Sequence, residues 1–189
     1  MKLGAWIHDY SDQGLVDQIR AAGAAGFTGI RSYSLDYSRK VAPQVEESGM
    51  TLLAGIHVDG PGLAADWKSQ VKLDELAATA ELDCTLAGIC VGNELREGGD
   101  EPEKKRFTAR LSFGLARVLE TYREWLAKRD RDIRLTYAME GLVFDRDGRF
   151  KEHLWPLIDA CDVVSLNSYP MSNSQWFTFD AFEESRRFL

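Results

Sequence analysis

Carboxylates and a set of aromatic, amide and cationic side chains fall at the ends of short apolar runs, and together these residue types suit carbohydrate chemistry. They are Trp6 and His8, Arg31 and Tyr33, His57, Asn93 and Glu94, Glu140, and Asn167 and Tyr169. Aromatic faces stack on the C–H faces of a sugar ring, and amide, imidazole, guanidinium and carboxyl groups bond its hydroxyls. Cleaving a glycosidic bond adds a need for two carboxyl groups. One protonates the departing oxygen and the other attacks or activates water, about 5 Å apart for retention and about 6.5–9.5 Å for inversion. Glu94 fits the proton donor, because burial at a strand end among apolar neighbours raises a carboxyl pKa and keeps the acid protonated. The same position also suits an ordinary acid at the start of a polar loop, and spacing alone does not separate the two readings.

Glu140 shares its parity with Thr136 and Ala138, so it is expected to point into the same mouth from a strand about 4.8 Å away from its neighbour. Its simpler role is to bind a hydroxyl or a loop. Trp176, in the segment Asn173 to Phe177, is a candidate stacking platform for sugar. His8 and His57 beside Glu94 and Glu140 raise the question of a divalent cation, as in sugar isomerases, but the third and sixth strands contribute no acid to such a set. No metal and no cofactor is expected.

The elements that must position these groups alternate between short apolar strands and amphipathic helices, the pattern of βα units on a parallel sheet. Six units are predicted. The strands are Leu3 to Asp9, Thr28 to Tyr33, Thr51 to Val58, Leu86 to Asn93, Arg134 to Met139 and Val163 to Ser168. The helices are Gly14 to Ala24, Arg39 to Glu47, Lys72 to Glu81, Glu103 to Lys128, Phe150 to Ile158 and Phe179 to Phe188. Gly26 and Gly49 stand where left-handed residues end helices, and Asp12, Ser38 and Thr178 stand where side chains cap helix starts. Phe107, Leu111, Leu115, Val118 and Leu119 recur at helical spacing and are read as core. Trp125 and Trp155 are read as helix-to-sheet packing, and Arg96 to Arg106 as a solvated entry to the long fourth helix.

Two architectures accommodate six such units: an open doubly wound sheet, or a (β/α)8 TIM-type barrel with six of its units present. A barrel asks each strand for one small or polar parity facing the interior and one bulky parity facing the helices. Gly88, Cys90 and Gly92 oppose Ile89 and Val91 in this way, if an irregularity near Asn93-Glu94 is allowed. Gly29, Arg31 and Tyr33 oppose Ile30, and Ser165, Asn167 and Tyr169 oppose Val164 and Leu166. A doubly wound sheet would show near-continuous apolar strands, so the α/β barrel is the expected fold, as one domain over residues 1–189.

Composition narrows the partners. The 189 residues are 44% hydrophobic and 28% charged, with 30 acidic against 23 basic residues and a net charge of -7. The cations are not gathered into a stripe, so nucleic acid is not an expected partner. No apolar run approaches the roughly 18 residues of a membrane span, and no leader is recognisable; no membrane association and a cytoplasmic location are expected, or a secreted one if a signal was removed. Cys84, Cys90 and Cys161 form no CxxC spacing and are read as buried thiols outside disulfides and metal sites.

Four segments, in order and spacing, resemble glycoside hydrolase family 17: Gly29-Ile30-Arg31-Ser32-Tyr33-Ser34, Gly49 to Ile56, Leu86 to Glu94 with its Val-Gly-Asn-Glu, and Asn167-Ser168-Tyr169-Pro170. The resemblance implies a retaining (β/α)8 enzyme that hydrolyses or rearranges β-glucan, most often at β-1,3 linkages. Glu94 would be the acid/base, Asn93 would bond the sugar 2-hydroxyl, and Tyr169 with Arg31 and Tyr33 would line the central subsite. The chain departs from the family in lacking Gly-x-Asn-Tyr-Gly in the first strand, in having His57 where an aromatic is commoner, and in containing no Glu-x-Gly-Trp-Pro, the motif that carries the family's nucleophile on a seventh strand. The chain is thus expected to be truncated before that strand, to lack turnover by itself, and to self-associate through its open barrel edges. The rival expectations are a non-catalytic carbohydrate-binding barrel and a sugar isomerase.

Overall fold

The computed structural model describes residues 4–6, 12–93, 102–140, 152–163 and 165–167. They form a parallel sheet of six strands in chain order: β1 (Gly4–Trp6), β2 (Gly29–Arg31), β3 (Thr51–Ile56), β4 (Leu86–Asn93), β5 (Leu135–Glu140) and β6 (Ser165–Asn167). Six helices stand among them: α1 (Asp12–Ala24), α2 (Leu35–Glu47), α3 (Gly60–Asp66), α4 (Leu73–Ala80), α5 (Pro102–Ala127) and α6 (Trp155–Ala160). This is an α/β chain of the TIM-barrel type, as the parity of the strands predicts, with five βα units and a sixth strand among the described residues.

One parity of the strands carries the core. Ile30, Leu52, Ala54, Ile56, Ile89, Val91, Leu135, Tyr137 and Met139 are all buried. Toward β2 and β3 they pack with Leu15, Ile19, Val41 and Val45 of α1 and α2. Toward β4 and β5 they pack with Leu63, Leu76, Leu154, Leu157 and the stripe Leu111, Leu115, Val118, Leu119, Tyr122 and Leu126 of α5. Each such aliphatic side chain contributes about 1.5–3 kcal/mol on full burial. The other parity is mostly small, with Gly29, Gly55, Gly88, Cys90, Thr136 and Ala138, and also carries Arg31 and Leu53.

Gly26 and Gly49 have φ of 84° and 67° and end α1 and α2. Phe27 N–H bonds Ala22 O and Met50 N–H bonds Val45 O, each at 3.0–3.1 Å, which satisfies carbonyls the helices leave open. Several sequence expectations change. Helix α2 starts at Leu35, one turn before Arg39, and its cap is Ser34, whose hydroxyl accepts from Tyr37 N–H. Ser38, the expected cap, is buried inside the helix. Helix α3 falls in a stretch the sequence reading left without a helix. Its Gly-Pro-Gly start breaks the apolar period, yet Pro61 sits in the first turn, where no N–H is needed, and Asp59 caps it by accepting from Gly62 N–H at 2.7 Å.

Trp155 is 56% exposed rather than packed, because Leu154, Leu157 and Ala160 supply the buried face of its segment. Trp125 is partly buried against the core, with the Arg129 guanidinium 3.9 Å from its ring centroid. Phe107 is 37% exposed and is not core, although the rest of its stripe is. Only Cys90 of the three free thiols is fully buried; Cys84 and Cys161 are half-buried. The sixth predicted helix, Thr178 and residues 96–101 of the charge run lie outside the described residues. No helix among the described residues is long and apolar enough to cross a membrane.

Candidate functional site

Of the expected site residues, Arg31, Tyr33, His57 and Asn93 stand at the ends of β2, β3 and β4. Strand β4 carries two extra residues relative to its neighbours. Leu52 pairs with Leu86 but Leu53 with Gly88, and Cys90 pairs with Thr136 but Asn93 with Ala138. Simple alternation would put Asn93 on the helix side with Ile89 and Val91. The second extra residue reverses this, as a bulge does, and brings Asn93 onto the inner face with Cys90. Gly92 makes the reversal: its φ is 79°, and a Cβ there would stand 2.8 Å from Val58 Cγ2 and 3.2 Å from the Tyr137 ring.

On that inner face Arg31 joins three groups. Its Nη2 donates to Asn93 Oδ1 at 2.6 Å, lies 3.7 Å from Cys90 Sγ, and its guanidinium stands 5.0 Å from the Tyr33 ring centroid, within cation–π range. Burial pushes the Cys90 thiol up, and the Arg31 cation opposes that only in part, so Cys90 stays a neutral thiol against the guanidinium.

The segment that carries Tyr33 is tied down from below. Ser32 and Ser38, both buried, share a hydroxyl–hydroxyl bond of 2.6 Å, and Gly55 N–H donates to the two oxygens at 3.2 and 3.4 Å. Gly55 is required here, since a Cβ would fall 2.3 Å from the Tyr33 carbonyl carbon. The crossing of the β2 end over Gly55 therefore fixes both Arg31 and Tyr33.

His57 follows β3 and is exposed. It does not join the Arg31 group in the contacts described but shares a cleft of about 380 Å³ with Asn93. The cleft is bounded by Val58, Asp59, Gly60, Pro61 and Leu63 of the β3–α3 junction, Phe107 and Leu111 of α5, and Tyr137 of β5. Glu140 and Asn167 are register partners at the ends of β5 and β6, and nothing is described of their side chains. Glu94, Tyr169, Trp176 and His8 lie outside the described residues. Among the described residues no group of three or more His, Cys, Asp or Glu is placed to hold a metal ion.

Sequence reading missed Cys90 as the neighbour of Arg31, the Ser32 and Ser38 pair, and the α5 wall of the cleft. Phe107 offered one signal: it opens the apolar stripe directly after Lys104, Lys105 and Arg106, where a helix is still surrounded by solvent.

No protein-family model matches the sequence, and no curated protein matches it by sequence. Solved structures do match by fold. A β-galactosidase from the psychrophilic Marinomonas ef1 superposes with a TM-score of 0.61 at 12% identity, over 95% of this chain and 43% of that one. A β-1,3-glucanase and allergen of Cryptomeria japonica pollen gives 0.60 at 15% identity, over 99% of this chain and 59% of that one. A glycosyl hydrolase family 2 member from Bacteroides cellulosilyticus gives 0.56 at 12%, over 99% and 23%. The chain thus spans less than two thirds of each of these proteins. At such identities the shared property is the barrel fold, which hosts many chemistries.

Proposed function

We propose that this chain is the acid/base and sugar-holding part of a retaining β-glucan hydrolase or transglycosylase of the family 17 type. The observation that carries the reading is the Arg31–Asn93 bond on the inner face at the C-terminal strand ends, where barrel enzymes bind substrate. The bulge at Gly92 that turns Asn93 inward does nothing for the core, since Asn93 itself is exposed. A bulge beside a strand end serves to aim a side chain.

In this reading Arg31 holds the Asn93 amide oxygen and so orients the amide toward a sugar hydroxyl. Tyr33 offers a ring face to the same sugar. Glu94 follows directly in sequence and protonates the glycosidic oxygen, then takes a proton from the incoming water or sugar hydroxyl. The Glu-x-Gly-Trp-Pro motif that carries the attacking carboxylate in family 17 does not occur among the 189 residues.

The test has two arms. Laminari-oligosaccharides titrated into the chain should bind, and Asn93→Ala should weaken that binding about tenfold. In a protein that supplies the attacking carboxylate, Glu94→Gln should lower turnover of laminari-oligosaccharides by about 10²–10⁴-fold while sparing their binding. Binding without any turnover dependence on Glu94 would leave a carbohydrate-binding barrel, and no binding of any β-glucan refutes the proposal.

A further inference from the structure

The cleft beside Asn93 has a mainly apolar lining. Its floor is Val58, Leu63, Leu111 and Tyr137, all buried side chains of the helix-side core. The exposed Phe107 ring and Pro61 stand on its walls. Among the described residues His57, Asp59 and Asn93 are its polar groups. At about 380 Å³ it exceeds the roughly 150 Å³ that suffices to hold a benzene ring and falls in the range of small-molecule sites, which are mainly apolar with a few polar groups for orientation.

Gly60 keeps the cleft open. Among the described residues a Cβ at this position would come nearest to Leu111 Cδ2, at 3.7 Å, an ordinary contact rather than a clash. The Asp59 carboxylate at the rim and the net charge of -7 disfavour anions.

We infer that this cleft binds a neutral aromatic group, presented as the aglycone of a β-glucoside whose sugar is held from the Asn93 side. The aglycone part of the statement rests on the sugar-binding reading of Asn93 given above; the aromatic part rests on the cleft alone. Asn93 joins the two, because it both lines the cleft and accepts the Arg31 bond on the inner face.

Calorimetric titration of methyl β-glucoside, phenyl β-glucoside and free phenol tests it. The phenyl glucoside should bind about tenfold to a hundredfold more tightly than the methyl glucoside, the gain expected from burying one ring. Gly60→Leu, which fills the cleft, and Phe107→Ala, which removes a wall, should each erase that gain. Gly60→Ala should fold at least as stably as the parent, since alanine is the better helix former, and serves as the folding control. Equal affinity for the two glucosides, or a phenyl preference that survives Gly60→Leu, overturns the inference. Phenol binding that Gly60→Leu abolishes, with neither glucoside bound, would uphold the aromatic site and refute the glycosidase reading.

Discussion

Asn93 Oδ1 accepts a 2.6 Å hydrogen bond from Arg31 across β3 because β4 holds one residue more than β5 between Cys90 and Asn93. Without that residue the amide would face the helices and the guanidinium would lose this bond.

The pair should therefore act as a unit. Arg31→Ala and Asn93→Ala are each expected to cost about tenfold or more in affinity for laminari-oligosaccharides, the scale of a hydrogen bond to a charged group. The double variant should lose no more than the worse single one. Calorimetry on the four proteins reads the coupling, and strictly additive losses would show that the two side chains act separately.

Gly92→Ala places a side chain at positive φ and against Val58 and Tyr137. The expected cost is about 1–3 kcal/mol from the backbone alone, more if Val58 does not yield. Relaxation toward regular alternation would also swing Asn93 off the inner face, so sugar affinity should fall together with stability. Urea unfolding and sugar titration of the same variant check both; a stable variant with parental affinity would show that the bulge is not what aims Asn93.

Tyr122 is fully buried in α5, and its hydroxyl accepts from Lys72 N–H at 2.9 Å, at the start of α4. Tyr122→Phe keeps the ring and orphans that N–H, an expected cost of about 1–3 kcal/mol by chemical denaturation. Burial pushes the phenol up to about 12. A phenol that titrates in the folded protein at the ordinary value near 10 would contradict this placement.

The thiols predict a pH dependence. Burial holds Cys84 and Cys161 up at about 11, against 9.0 for a free thiol, and pushes Cys90 up as well. The folded state thus favours the protonated thiols. That preference is fully present below pH 9 and is lost as pH rises through about 11, so stability should decline over this alkaline window. At pH 8 Cys84 and Cys161 should alkylate about a hundredfold more slowly than a free thiol, because only the thiolate reacts. Mass spectrometry after iodoacetamide treatment measures the rates, and labelling of the native protein at the rate of the unfolded chain would contradict it.

Sequence made the barrel parity legible because the two faces of each strand meet different surroundings. Ile30, Ile89 and Val91 meet helices, while Gly88 and Cys90 do not. Gly26 and Gly49 were equally plain, since few other residues accept their φ. The cap of α2 was misassigned because Ser34 and Ser38 are chemically alike, and what separates them is that Ser38 is claimed by Ser32 and Gly55 from other elements. Helix α3 was hidden by Gly60, Pro61 and Gly62, whose propensities oppose a helix everywhere except its first turn. The inward side of Asn93 was legible only by allowing an irregularity near Asn93-Glu94, and the extra residue falls between Cys90 and Asn93; Phe107 was read as core because a helical stripe does not reveal where its covering layer stops.

Among the described residues each strand of the sheet hydrogen-bonds to the strands before and after it in the chain. Assembly can then proceed in the direction of synthesis, every new βα unit docking on a finished edge without waiting for a distant segment. Loop-closure entropy stays small at each addition, and the same arrangement lets a unit be gained or lost at an edge strand without rethreading the others.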